Sequence, residues 1–204
     1  MNLIFNNQIS IFENTLFKYL TPKQCTKLYT SNLILNHIYV ENNNFEDYYF
    51  TPKTNEELQE AVNVLYGIYC NNVLYRNQKE ALLKYNHISF WNTKYITDMS
   101  SLFREKVNFN DDISDWNTSN VINMEGMFVY VRYFNQPINN WNINKVKNIQ
   151  HMFLGTQDFN QDLNKWDIKN IEYMRGIFWY AIKFDNKNIS SCKFNNKIRQ
   201  QSIF

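Results

Sequence analysis

Ile88-Ser89-Phe90-Trp91-Asn92-Thr93 returns three times down the chain. It reappears as Ile113-Ser114-Asp115-Trp116-Asn117-Thr118, Ile138-Asn139-Asn140-Trp141-Asn142-Ile143 and Leu163-Asn164-Lys165-Trp166-Asp167-Ile168. The four tryptophans fall 25 residues apart, and the positions around them keep that period. Ile96, Val121, Val146 and Ile171 form one column, Phe103, Phe128, Phe153 and Phe178 a second, and Phe109, Phe134, Phe159 and Phe184 a third. A fixed period of this length marks a stacked repeat array.

Within one unit, the aliphatic, the Trp and the Thr or Ile two residues on fit a short strand with alternate side chains inward. The aliphatic, Met and Phe residues that follow are spaced three to four apart, which fits a short helix. One strand and one short helix per 25 residues make a leucine-rich-repeat-sized coil. The expected fold is therefore an α/β repeat solenoid with an N-terminal helical region. Trp91, Trp116, Trp141 and Trp166, with the two Phe columns, are its expected core ladder. The units run from 85 to about 192 as four full copies and a decayed last one, Phe184-Asp185-Asn186-Lys187-Asn188-Ile189. That last copy carries one inserted residue and has Cys192 where a tryptophan would sit.

Three further regions flank the array. Residues 1–50 read as helical, with Thr21-Pro22-Lys23-Gln24 as a helix start. Residues 51–84 read as a helical cap. Thr54-Asn55-Glu56-Glu57 is a capping box, and Leu58, Ala61, Val62 and Leu65 share one helix face. Residues 80–83 suggest a second short helix. An open stack exposes its first apolar layer, so an atypical unit is expected to cover it. Residues 193–204 are a tail.

Composition narrows the function. Net charge is +2 over 204 residues, which gives no bulk argument for nucleic acid or an anionic membrane. The low Gly and Pro content and the Asn, Ile and Lys bias match an AT-rich, low-GC genome. Aromatics at 17% supply apolar area for a core, at roughly 25 cal/mol per Å² buried. Cys25, Cys70 and Cys192 are odd in number and far apart, so neither a disulfide framework nor a zinc site is expected. No signal peptide or transmembrane segment is legible, and the expected location is the cytoplasm.

The pattern aliphatic-x-x-Trp-(Asn/Asp)-(Thr/Ile)-x-x-(Val/Ile)-x-x-Met-x-x-Met-Phe, closed by Phe-Asn, resembles the BspA-like, leucine-rich-repeat-related family of mycoplasma lipoproteins and bacterial surface proteins. The resemblance covers roughly residues 53–190. Similar arrays occur in large DNA viruses and some protists, so a virion or host-cytoplasm setting is one expectation. It implies a single-sheet solenoid with no known catalytic site. This chain departs from the bacterial members in lacking an export signal. Leu16-Phe17-Lys18-Tyr19-Leu20-Thr21-Pro22-Lys23-Gln24, followed by Leu28, resembles the middle of an F-box. Residues 8–40 would then dock on a cullin-type ubiquitin ligase and make the chain a substrate adaptor. The opening Leu-Pro of that motif is absent.

No catalytic constellation is present. His37, His87 and His151 make no H-E-x-x-H pair, and there is no phosphate loop. No cofactor and no metal are expected. Lys165 apart, the Trp columns are not flanked by Lys or Arg, which argues against base stacking. Asn110, Asn135, Asn160 and Asp185 read as a turn ladder bonding the backbone between units. The candidate binding face is the pair flanking each Trp on the expected strand: Phe90 and Asn92, Asp115 and Asn117, Asn140 and Asn142, Lys165 and Asp167. Tyr130, Tyr133 and Trp179 suggest a second patch. The expected function is a non-enzymatic module that presents a rigid surface to a protein partner. The alternatives are the ligase adaptor and a structural repeat without a specific ligand.

Overall fold

The computed structural model describes residues 50–67, 84, 85, 87–193, 198 and 202. The chain divides into two units, Met1–Tyr48 and Tyr49–Phe204, and every described residue belongs to the second. The helical reading of residues 1–49, with the F-box-like stretch within 8–40, and the short helix at 80–83 lie outside the described residues.

The expected α/β class is overturned. The described residues hold one α-helix of 12 residues, α1 (Asn55–Tyr66), and two short 3-10 turns, Ile88–Phe90 and Asn186–Ile189. Strand pairing amounts to isolated parallel bridges from Asp98 to Asn123, Asn123 to Asn148 and Asn148 to Tyr173. Among the described residues no strand runs through the tryptophans, and no α-helix follows them within the units between 91 and 185.

The backbone explains both failures. At each Trp the chain turns: the N–H of Trp116, Trp141 and Trp166 donates to the carbonyl three residues earlier (Ile113, Ile138, Leu163). A strand would send those donors to a neighbour instead. After the Met column, alternate N–H groups are divided between two uses. Met99, Ser101, Phe103 and Glu105 donate to the next unit, at Asn123, Glu125, Met127 and Val129. Leu102, Arg104 and Lys106 donate back to Met99, Ser101 and Phe103 within their own unit. The units beginning at Met124 and Ile149 repeat the alternation. An α-helix needs every donor to go four residues back, so it cannot form here.

Two positions per unit hold this path open. Ser101, Gly126, His151 and Gly176 have φ of +55°, +60°, +56° and +60°. Glu105, Tyr130, Gly155 and Tyr180 have +62°, +57°, +71° and +60°. The left-handed region suits glycine and strains other residues, and inter-unit bonds hold Ser101, Glu105, Tyr130 and His151 there.

Side chains then pack in register. Trp91, Trp116, Trp141 and Trp166 are buried, as are all the described Phe of the two columns except Phe184, which is half-buried. Successive rings stack nearly parallel: Phe103 on Phe128 at 5.5 Å, Phe128 on Phe153 at 5.6 Å and Phe153 on Phe178 at 5.8 Å. Each indole N–H finds an acceptor in the preceding unit, from Trp116 to Ile88, Trp141 to Ile113 and Trp166 to Ile138, at 2.9 to 3.1 Å. A buried Trp therefore carries apolar area without an orphaned donor.

α1 stands where a preceding unit would be. Thr54 caps it by accepting from Glu57 N, and Leu58, Ala61, Val62 and Leu65 face inward. Its polar side chains serve the first unit's backbone and side chains. Asn55 Oδ1 accepts from Thr97 N and Asp98 N, Gln59 donates to the Leu102 carbonyl, and Tyr66 donates to Asp111.

Candidate functional site

The residues flanking each Trp do not form a strand face, because no strand exists there. They divide into two kinds. The column after the Trp is spent on its own turns: Asn92, Asn117, Asn142 and Asp167 accept through Oδ1 from the N–H of Lys94, Ser119, Asn144 and Lys169. Thr93 and Thr118, buried, reach across to the carbonyls of Asn117 and Asn142. Such Asx turns are local backbone devices. The column before the Trp is freer. Phe90 is half-buried beside His87, and Asp115, Asn140 and Lys165 are exposed. Lys165 Nζ lies 3.3 Å from Asn140 Oδ1. Structural demands fall on the first column and spare the second.

The Asn column that ends each unit is also structural. Asn110 Oδ1 accepts from Asn135 N, Asn135 Oδ1 from Asn160 N and Asn160 Oδ1 from Asp185 N, each at 2.9 Å. Gln136 and Gln161 add bonds to the carbonyls of Asn110 and Asn135. Among the described residues no group of His, Cys, Asp and Glu is placed to hold a metal ion.

Outward aromatic and aliphatic side chains gather on the edge that follows the second left-handed position, and Tyr95, Ile122 and Tyr173 are exposed elsewhere. Tyr130 and Tyr133 are 49% and 44% exposed, and Tyr180 and Ile182 are 75% and 76% exposed. The φ of +57° at Tyr130 lays its ring over Gly155 of the next unit. A Cβ there would come within 2.5 Å of Tyr130 Cδ1, so a side chain at 155 would displace the ring. The Arg132 guanidinium lies 5.6 Å from the Tyr133 ring, and Arg175 lies 5.6 Å from the Trp179 ring. Cation–π contacts of this kind hold long cations against aromatic faces. Tyr130, Tyr133 and Trp179 were legible as aromatics off the core columns; Tyr180 and Ile182 were missed. Their signal is that Tyr180 repeats Tyr130 and Ile182 repeats Val107 in columns that otherwise carry Glu105, Gly155, Arg132 and Gln157.

His151 lies against the same end. Its Nδ1 is buried and has no hydrogen-bond partner. Its ring sits 5.4 Å from Trp179, in the space that Gly176 leaves by lacking a side chain.

Residues 71–204 match a family described as Mycoplasma protein of unknown function, DUF285. No curated protein and no solved structure matches the chain. Among the described residues no helix is long and apolar enough to cross a membrane.

Proposed function

The chain belongs to the DUF285 family, and we propose that it is a non-enzymatic module that binds a protein partner along its aromatic edge. One observation carries this reading: Tyr130, Tyr133, Tyr180 and Ile182 are exposed close together in their repeat positions, whereas the column after each Trp is occupied by turn-capping amides or Asp167. Tyr, Trp and Arg are the residues in which interface energy concentrates, and their cost in ordering is small for the area they bury. Arg132 and Arg175 lie beside this aromatic surface. The framework is rigid because each unit's backbone donors are satisfied by the next, so little entropy is lost when the edge engages. We take the kinship to extend to the BspA-like proteins, on the strength of the Trp-centred pattern and its period.

The test compares capture from a eukaryotic lysate by the full chain and by a Tyr130→Ser/Tyr133→Ser variant, with partners quantified by mass spectrometry. Both residues are exposed, so the variant is expected to fold. A partner that saturates the full chain and falls by about tenfold or more with the variant supports the reading. A saturable partner indifferent to the variant moves the interface elsewhere. No saturable partner at all leaves a structural role.

A further inference from the structure

We propose that the outer corner of the last unit is an acceptor site for an aromatic-bearing segment of the partner, seated as one more rung of the stack. This rests on the interaction reading above and specifies its chemistry. Three copies of one junction define what a rung supplies. In each, the N–H at the second left-handed position donates to a carbonyl of the next unit: Glu105 to Val129 and Tyr130 to Leu154 at 2.8 Å, and Gly155 to Trp179 at 2.7 Å. Five residues after that carbonyl, a phenylalanine lays its ring on the preceding one. Phe134 lies on Phe109 at 5.8 Å, Phe159 on Phe134 at 6.1 Å and Phe184 on Phe159 at 5.9 Å.

The fourth copy has the donor and the ring but receives neither partner. Among the described residues no acceptor meets Tyr180 N–H, and the ring contacts of Phe184 are with Phe159 and Phe178. Phe184 is half-buried, where Phe134 and Phe159 are fully buried. Two described residues beyond it serve other columns. Cys192 stands in the Trp position, with Sγ 3.5 Å from the Leu163 carbonyl, and the Ser202 carbonyl accepts from Gly176 N. What stays open is a solvent-facing hollow of about 520 Å³ floored by Phe184 and walled by Tyr180, Ala181 and Asn186.

The occupant follows from continuity with the three filled junctions. It offers a backbone carbonyl to Tyr180 N–H and, five residues later, a flat ring to Phe184. This is strand addition in its general logic, with main-chain bonds giving affinity and a side-chain pocket giving specificity. Lys183 Nζ is already paired with Asp158 Oδ1 at 2.8 Å, so the carbonyl and the ring, rather than charge, define the segment.

The experiment titrates the full, isotope-labelled chain with an acetylated and amidated heptapeptide, Leu-Gly-Thr-Gln-Asp-Phe-Asn, followed by NMR. This probe copies residues 154–160 and carries the carbonyl and the ring in the required register. The expected result is saturable shifts at the amides of Tyr180 and Phe184. Replacing the peptide's Phe by Ala should weaken binding by about tenfold or more. The Phe184→Leu variant, which keeps an apolar side chain, should weaken it similarly with its melting temperature nearly kept. Equal binding by the Ala peptide, shifts confined to other residues, or no saturable shift would each overturn the proposal. If a lysate partner binds the Phe184→Leu variant as well as the unaltered chain, this inference falls and the interaction reading stands. If the peptide binds at the corner but no partner is ever captured, the rung-accepting chemistry stands, while the interaction reading, and with it the assignment of the segment to a partner, falls.

Discussion

The two ends of the stacked region are finished in different ways. At the first end α1 supplies a complete substitute for a missing unit. It buries four apolar side chains and places Asn55, Gln59 and Tyr66 on groups of the first unit that a preceding unit would otherwise meet. At the last end the substitutes are piecemeal: Cys192 for a tryptophan, Ser202 for one rung, and nothing described over Phe184 or Tyr180 N–H. A one-dimensional stack gains stability from each interface and must cover its outermost apolar layer. The end that is covered less well is therefore where binding energy remains to be collected.

The largest effect separating interior from end is at the Trp column. Trp141→Ala should cost about 3 to 5 kcal/mol, because the indole is buried and its N–H is satisfied. Cys192→Ala, at the same position of the last unit, should cost about 1 kcal/mol. Chemical denaturation of both variants checks the pair, and equal losses would mean that the end is as tightly built as the interior. Next is Gly176→Ala. A Cβ there meets His151 Nδ1 at 2.7 Å and Trp179 Cδ2 at 2.8 Å, at a φ of +60°. A loss of about 2 to 3 kcal/mol is expected, read from the same denaturation curves.

The pH dependence of stability sharpens the contrast at the alkaline side. Burial, and then the charge of Asp162, push the Cys192 thiol up to about 11. An unfolded thiol ionises near about 8.5. The raised group binds its proton more tightly when folded, so its stabilising contribution is whole below about pH 8.5 and is lost as pH climbs toward 11. Tyr66, at the other end, is raised well above the ordinary phenol range by burial and by the Asp111 carboxylate. Its contribution is lost only above about pH 10. Denaturation midpoints should therefore be flat from pH 7 to 8 and then fall. Cys192→Ala should remove the earlier part of the fall, and Tyr66→Phe the later part. A midpoint that rises through this range would contradict both assignments. The smallest effect is Asn142→Ala. Its side chain is exposed and accepts one backbone bond, from Asn144 N, so a loss below about 1 kcal/mol is expected on thermal unfolding.

The period and the buried columns were legible because a large apolar residue at every twenty-fifth position has little other use than packing. Trp116 and Phe128 are as buried as that logic requires. The strand and helix were misread because spacing of three to four between Val121, Met124 and Phe128 fits a helix and equally fits a chain of turns. The discriminating signal is glycine. Three of the four glycines, Gly126, Gly155 and Gly176, fall in the two left-handed columns. Ser101, His151, Glu105 and Tyr130 mask those columns, since their φ is held by inter-unit bonds rather than by residue type, and Tyr180 masks the last copy without such a bond among the described residues. The candidate face was misplaced for a related reason. Asn92, Asn117, Asn142 and Asp167 look like variable polar residues on a strand, yet their side chains are committed to Asx turns. Tyr180 and Ile182 carried only a weak periodic signal, because their columns alternate between apolar residues (Tyr130, Val107) and polar or small ones (Glu105, Gly155, Arg132, Gln157).

Amide hydrogen exchange at Tyr130 and Tyr180 tests the turn-built stack and its open end most directly. The two residues share a type, a column and a left-handed φ, of +57° and +60°, and differ in that Tyr130 N–H donates to Leu154 at 2.8 Å. The expected result is strong protection at Tyr130, together with Gly126, Phe128 and Phe153, and exchange at Tyr180 close to that of an exposed amide. Protection at Tyr180 equal to that at Tyr130 would show that the corner is already filled. Loss of protection at Gly126 and Phe128 would contradict the inter-unit ladder itself.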